Sequence, residues 1–206
     1  MYQPPQFKSD DRAVAADIIR SYPFASLVST DDDGFPFVTH LPLHLEERGE
    51  RFVLMGHCAR PNPHWRYLQA RPRALALFMG PHAYQSPAIY PDRQRVPSWN
   101  YLAVHCKVQA TLVEDPDAKD RLLKKLIGDH EPAYAEQWRS LGEEFAHKMM
   151  AGIMGFELEV IEWACKLKVN QHRPESHAKL HAGYAQGNED ERALAGWMER
   201  LGMKVS

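Results

Sequence analysis

The chain has 206 residues, 44% hydrophobic and 25% charged, and Lys+Arg 25 against Asp+Glu 27 leaves a formal net charge of -2. This composition excludes disordered, collagenous and disulfide-scaffold classes, and a near-neutral chain has no general electrostatic attraction to nucleic acid or to a membrane surface. No apolar run approaches the roughly 18–20 residues of a membrane-spanning helix, and Met1 to Phe7 lacks a basic segment followed by an apolar one, so a cytoplasmic location without membrane attachment is expected.

Asp10 is placed to cap a helix on which Val14, Ile18 and Ile19 recur, ended by Pro23. Residues 24–30 read as a strand, Asp31-Asp32-Asp33-Gly34 as a turn and residues 35–45 as a second strand, together a β-hairpin. A further strand covers 51–57 through Phe52, Val53, Leu54 and Met55. Arg60-Pro61-Asn62-Pro63 then leads to a short helix over 64–69, and Ala74-Leu75-Ala76-Leu77-Phe78 suits a buried strand. The clearest strand is 104–112, where Val104, Cys106, Val108, Ala110 and Leu112 alternate with His105, Lys107, Gln109 and Thr111.

Asp115-Pro116 opens a helix carrying Leu122, Leu123, Leu126 and Ile127, and a second helix is expected over 138–150. Phe156, Leu158 and Val160 restore strand alternation before Lys166-Leu167-Lys168. Pro174 opens another helix, and Asn188 with Glu191 makes a capping box for the last, which ends near Leu201. About six strands joined mostly by turns favour an α+β, mainly β, antiparallel barrel with peripheral helices over a doubly wound parallel sheet. One domain over 1–206 is expected, with a helical insertion at about 116–150 and a helical tail at about 174–202.

Three segments carry chemistry. In Gly56-His57-Cys58-Ala59-Arg60-Pro61-Asn62-Pro63-His64-Trp65 a strand ends near His57 and a helix capped by Asn62 begins, so first-turn amides beside Arg60 and His57 form a candidate phosphate site. A capped helix with Arg60 in solvent is the competing reading. Residues 80–90 and 96–101 concentrate aromatics and proline outside regular structure, which suits either a planar heterocycle or the covering of a core edge or interface. Cys58, Cys106 and Cys165 contain no Cys-x-x-Cys pair, and no Gly-x-Ser-x-Gly or His-Glu-x-x-His occurs, so neither a metal site nor a hydrolase is expected.

These motifs, with Thr39-His40-Leu41-Pro42-Leu43, Phe78-Met79-Gly80-Pro81-His82-Ala83-Tyr84, Val96-Pro97-Ser98-Trp99-Asn100-Tyr101 and Lys166-Leu167-Lys168-Val169-Asn170-Gln171-His172-Arg173, stand in the order of the PaiB-type family, which the chain resembles along nearly its whole length. That family is described as FMN-binding negative transcriptional regulators and is similar to the flavin-binding split β-barrels of the pyridoxamine-phosphate oxidase type. The family's Ser-Pro-x-Trp-Tyr reads Ser86-Pro87-Ala88-Ile89-Tyr90 here, and its Lys-x-Ser-Gln-Asn-Arg reads Lys168-Val169-Asn170-Gln171-His172-Arg173.

The resemblance implies a split β-barrel homodimer with FMN in a cleft between subunits. By position, Thr39, His40, His57, Ala59, Arg60 and Asn62 are expected at the phosphate and ribityl chain, and Trp99, Asn100 and Tyr101 at the isoalloxazine or the partner's side of the cleft. Lys166, Gln171 and Arg173 are further cofactor candidates, although a basic tail equally suits solvent. It also permits a flavin-dependent oxidoreductase or a haem-binding split barrel; no haem-attachment motif occurs, and His82 and His105 are available for proton transfer, with structural hydrogen bonding the ordinary role of either. DNA binding follows from the family description alone: the last helix opens with Glu189-Asp190-Glu191, three carboxylates that a phosphate backbone would repel.

Overall fold

The structure, a computed structural model, describes residues 1–205, which form an α+β fold of eight strands and seven α-helices. In chain order these are β1 (Lys8–Ser9), α1 (Arg12–Ser21), β2 (Phe24–Thr30), β3 (Pro36–Pro42), β4 (His44–Arg48), β5 (Arg51–Ala59), α2 (His64–Ala70), β6 (Arg73–Gln85) and β7 (Ser98–Val113). There follow α3 (Pro116–His130), α4 (Tyr134–Ser140), α5 (Glu143–Ala151), β8 (Ile153–Lys168), α6 (His177–Ala185) and α7 (Glu189–Arg200). The sheet order is β3-β2-β6-β7-β8-β5-β4, with β1 added on β8. The β2–β3, β2–β6, β4–β5, β5–β8 and β1–β8 pairs are antiparallel, in keeping with the preference for a mainly β antiparallel architecture.

Contacts divide the chain into two compact units. One comprises Met1–Ile18, Met79–Val104 and Ala164–Ser206, the other Ile19–Phe78 and His105–Trp163. The second unit contains the β2–β3 hairpin, whose turn follows from its residues. Asp31 Oδ1 accepts from the amides of Asp33 (3.0 Å) and Phe35 (2.8 Å), and Gly34 takes φ +85°, a left-handed value that a side chain resists. Its core includes Leu27, Leu54, Phe78, Leu122, Phe156 and Leu158, each at most 1% exposed. Gly56 on β5 faces Phe156 on β8, and a Cβ at Gly56 would lie 2.6 Å from Leu43 Cδ2 and 3.3 Å from Phe156 Cε2, so these side chains pack into the space that glycine leaves. In the first unit Leu180, Leu194, Trp197 and Met198 bury the inner faces of α6 and α7, and the Asn188–Glu191 capping box forms as expected.

Several expectations are corrected. Asp11, not Asp10, caps α1, its Oδ1 accepting from Ala13 N and Val14 N, while Asp10 pairs with Lys8. The strand expected over 35–45 is two strands, because Leu43 turns inward and donates its amide to Pro23 O between β3 and β4. Gly142 splits the helix expected over 138–150 into α4 and α5. Residues 80–85 and 98–101 belong to strands and not to loops. On β6 the buried residues are even-numbered through Gly80 and odd-numbered from Pro81, a one-residue slip of the kind a bulge makes, and that slip hid the strand from period-two reading.

Candidate functional site

In the second unit β5 runs out at Ala59 into the Arg60 turn. Arg60 is fixed through its backbone amide to Gly152 O (2.8 Å), its Nε to Ala151 O (3.1 Å) and its carbonyl, which accepts from Trp65 Nε1 (3.0 Å). The two terminal guanidinium nitrogens bond no described residue. They share a cavity of about 280 Å³ with Pro116, Lys119, His147, Met150 and Ala151. Lys119 is 4% exposed, with its Nζ only at 3.4 and 3.3 Å from the carbonyls of Met150 and Ile153. Burial and the Arg60 charge lower the Lys119 pKa and Glu114 raises it. Sequence reading missed Lys119; the signal was a lysine at position 119 on the apolar face of α3, three residues before Leu122.

The expected cradle of free first-turn amides is not there. Asn62 Oδ1 accepts from His64 N (3.0 Å), the amide of Arg66 donates to Pro63 O (2.8 Å), and α2 has only seven residues. Asn62 also donates through Nδ2 to Thr39 Oγ1 (3.1 Å), which bonds His64 Nδ1 at 2.7 Å. Thr39, Asn62 and His64 thus form one latch between β3 and the helix start, a role for His64 that sequence reading missed. His40 is on the other face of β3, exposed, bonding Ser26 Oγ at 3.0 Å. His57 is half-buried with Nδ1 unpartnered among the described residues, and burial lowers its pKa; the fixed positive charge here is the Arg60 guanidinium. Ala59 is exposed at the strand end.

His64 is 1% exposed, stacks edge-on against Phe37, and burial pushes its pKa down to about 4. A folded pKa below the unfolded value of about 6.5 means that the unfolded chain binds more protons between these limits, so stability is full above about pH 6.5 and falls as pH drops toward 4. Denaturant titrations across that window are expected to show a loss of roughly 3 kcal/mol at most from this group. His64→Gln should flatten the profile, and an unchanged slope would refute the assignment.

In the first unit Trp99, Asn100 and Tyr101 occupy successive positions on β7, so strand alternation sends Asn100 to one face and the two aromatics to the other. Trp99 is 48% exposed, packs against His82 and Tyr84, and donates through Nε1 to His82 Nδ1 at 3.3 Å. Tyr101 lies under Lys166, whose Nζ is 5.1 Å from its ring and donates to Tyr2 O. Gln171 is consumed locally, donating to Leu167 O (2.6 Å) and accepting from Val169 N (3.1 Å). Arg173 and Asn100 both line a polar cavity of about 350 Å³.

The donor set fits FMN at its phosphate end: a fixed guanidinium with free terminal nitrogens and a buried ammonium without a bonded carboxylate meet in one concave cleft. Comparison with known proteins agrees. Residues 1–162 match the family described as "Putative FMN-binding domain". The chain is 33% identical over 181 residues to protease synthase and sporulation protein PAI 2 of Bacillus subtilis, covering 85% of this chain and 84% of that protein. Among solved structures it is similar to the flavocytochrome Anf3 of Azotobacter vinelandii, with TM-score 0.59 and 18% identity over 79% of this chain and 70% of that one. It is also similar to the FAD and haem binding protein of Mycobacterium smegmatis, with TM-score 0.51 and 20% identity over 78% and 73%. These two likenesses are likenesses of fold. With the sheet, the phosphate-compatible cleft and the family match together, the chain belongs to the PaiB-type family of FMN-binding split-barrel proteins.

Proposed function

We propose that the protein is a cytoplasmic PaiB-type flavoprotein, one FMN-binding domain acting as a homodimer, in which Arg60 and Lys119 hold the FMN phosphate. The observation that carries this reading is the pairing of Arg60's free terminal nitrogens with the buried Lys119 in one cleft. Bound FMN supplies electron transfer at its isoalloxazine ring, while the chain binds and orients it. Exposed apolar side chains support self-association: Phe24 (68%) and Val38 (45%) in one unit and Trp99 (48%) in the other. Regulation of transcription, as the family description implies, proceeds without α7 entering a DNA groove, since Glu189, Asp190 and Glu191 occupy its first turn.

The purified protein is expected to take up FMN stoichiometrically, with a band at about 450 nm, and to give no specific shift of its own promoter region in a low-salt gel assay. A protein that stays colourless after incubation with FMN would overturn the cofactor reading; a specific shift would overturn the indirect one. A second reading, a flavin-dependent oxidoreductase acting on a small molecule, is favoured by the polar cavity of the first unit, which is furnished for a ligand of its own.

A further inference from the structure

Asn100 occupies a position that its strand reserves for apolar residues. The buried register of β7 runs Leu102, Val104, Cys106 and Val108, each at most 1% exposed, and Asn100 continues it at 0%. Its hydrogen bonding is half complete. Tyr184 has one hydroxyl proton, which goes to Tyr84 O (3.2 Å), so Asn100 must donate to that hydroxyl through Nδ2 (3.0 Å). Burial pushes the Tyr184 pKa up to about 12, so the proton stays in place. Asn100 Oδ1 is thereby left as an acceptor with no partner among the described residues, and a buried acceptor without a donor costs on the order of 1–3 kcal/mol.

The cavity that Asn100 lines collects positive charge. Lys168, Arg95 and Arg173 also face it, and none of its lining residues is acidic. Lys168 is half-buried and held by neutral oxygens, Ser98 Oγ and Trp99 O, both at 2.6 Å, and no carboxylate pairs with it among the described residues. Arg173 has no side-chain partner among them, whereas Arg95 is paired with Asp92 at 2.8 Å. A relay from Gln85 through Tyr90 and Asn170 to Ser176 holds the wall rigid, and Asn170 takes φ 66°, a left-handed value that asparagine tolerates.

We propose that this cavity binds a small anion, a phosphate monoester or a carboxylate, that also carries a hydroxyl or amine donor. The donor meets Asn100 Oδ1, which is wholly buried, and the anionic group meets Lys168, Arg173 and Arg95, which are half-buried. The role of this ligand as substrate rests on the oxidoreductase reading; its binding does not.

Titration calorimetry of the FMN-loaded protein tests the proposal, with glycerol 3-phosphate and D-glycerate as the two anionic probes and glycerol and propyl phosphate as the partial ones. At least one of the anionic probes is expected to bind about tenfold more tightly than either partial probe, and which of them does so separates the phosphate from the carboxylate source. Lys168→Met and Arg95→Gln should each weaken the probe by about tenfold or more while keeping the flavin band, and Arg60→Ala should weaken FMN while sparing the probe. Arg95→Gln keeps the test valid where Lys168→Met disturbs the Ser98 segment. No heat from either anion, equal binding of propyl phosphate, or loss of FMN instead of probe in Lys168→Met or Arg95→Gln would each overturn the proposal.

Discussion

Arg60→Ala is expected to weaken FMN binding by ~1.5–3 kcal/mol, about 10- to 150-fold in the dissociation constant measured by isothermal titration. The expectation follows from how the residue is divided. Its backbone amide and Nε bond Gly152 and Ala151, so these contacts aim the guanidinium, and the terminal nitrogens are left for a ligand. Alanine keeps the backbone bond, so the turn should survive and the loss should fall on the ligand. Lys119→Met is the companion change: it removes the buried ammonium with similar volume and should also weaken FMN, while raising stability by relieving a charge held at long distances from two carbonyls. If Arg60→Ala leaves the affinity unchanged, the phosphate is held elsewhere.

How much of this was legible in the sequence depends on whether neighbours in sequence are neighbours in space. The alternation from Val104 to Leu112 is one undisturbed face of a strand, and the Asn188–Glu191 box is local, so both could be read directly. Thr39 and Asn62 were named as candidates for the phosphate and ribityl chain, but their mutual hydrogen bond and the engagement of the His64 amide depend on packing across 23 to 25 residues and on a helix of seven residues. Thr39-His40 and Trp99-Asn100-Tyr101 were read as blocks, but a strand sends adjacent side chains to opposite faces. Carrying the β7 alternation two residues further back than Leu102 would have placed Asn100 in the buried register and marked it as the polar exception. Lys119 was not legible because its charge matters only beside Arg60, 59 positions away in the chain (119 − 60).

Phe156→Ala is expected to cost about 3–5 kcal/mol of unfolding free energy, read from denaturant titration of the apo-protein. The ring is 1% exposed, and its Cε2 lies 3.3 Å from where a Cβ of Gly56 would stand, so the absence of a side chain at Gly56 is the space into which Phe156 packs. Neither backbone can close the void, because Gly56 and Phe156 are opposed in the β5–β8 register that also pairs His57 with Gly155 and Ala59 with Ile153. That register fixes the end of β5, from which Arg60 projects, so the same substitution tests whether core and site are coupled. A ligand that binds only the folded state stabilises it by about 2.7 kcal/mol at a hundredfold excess over its dissociation constant. If the β5 end keeps its place, FMN at a hundredfold excess over each protein's own constant should add that amount to wild type and variant alike, and the two affinities should match. If the strand end shifts, the variant should show a weaker constant with the 3–5 kcal/mol loss still present in the apo form. A loss below about 1 kcal/mol would mean that Phe156 is not the keystone its packing against Gly56 indicates.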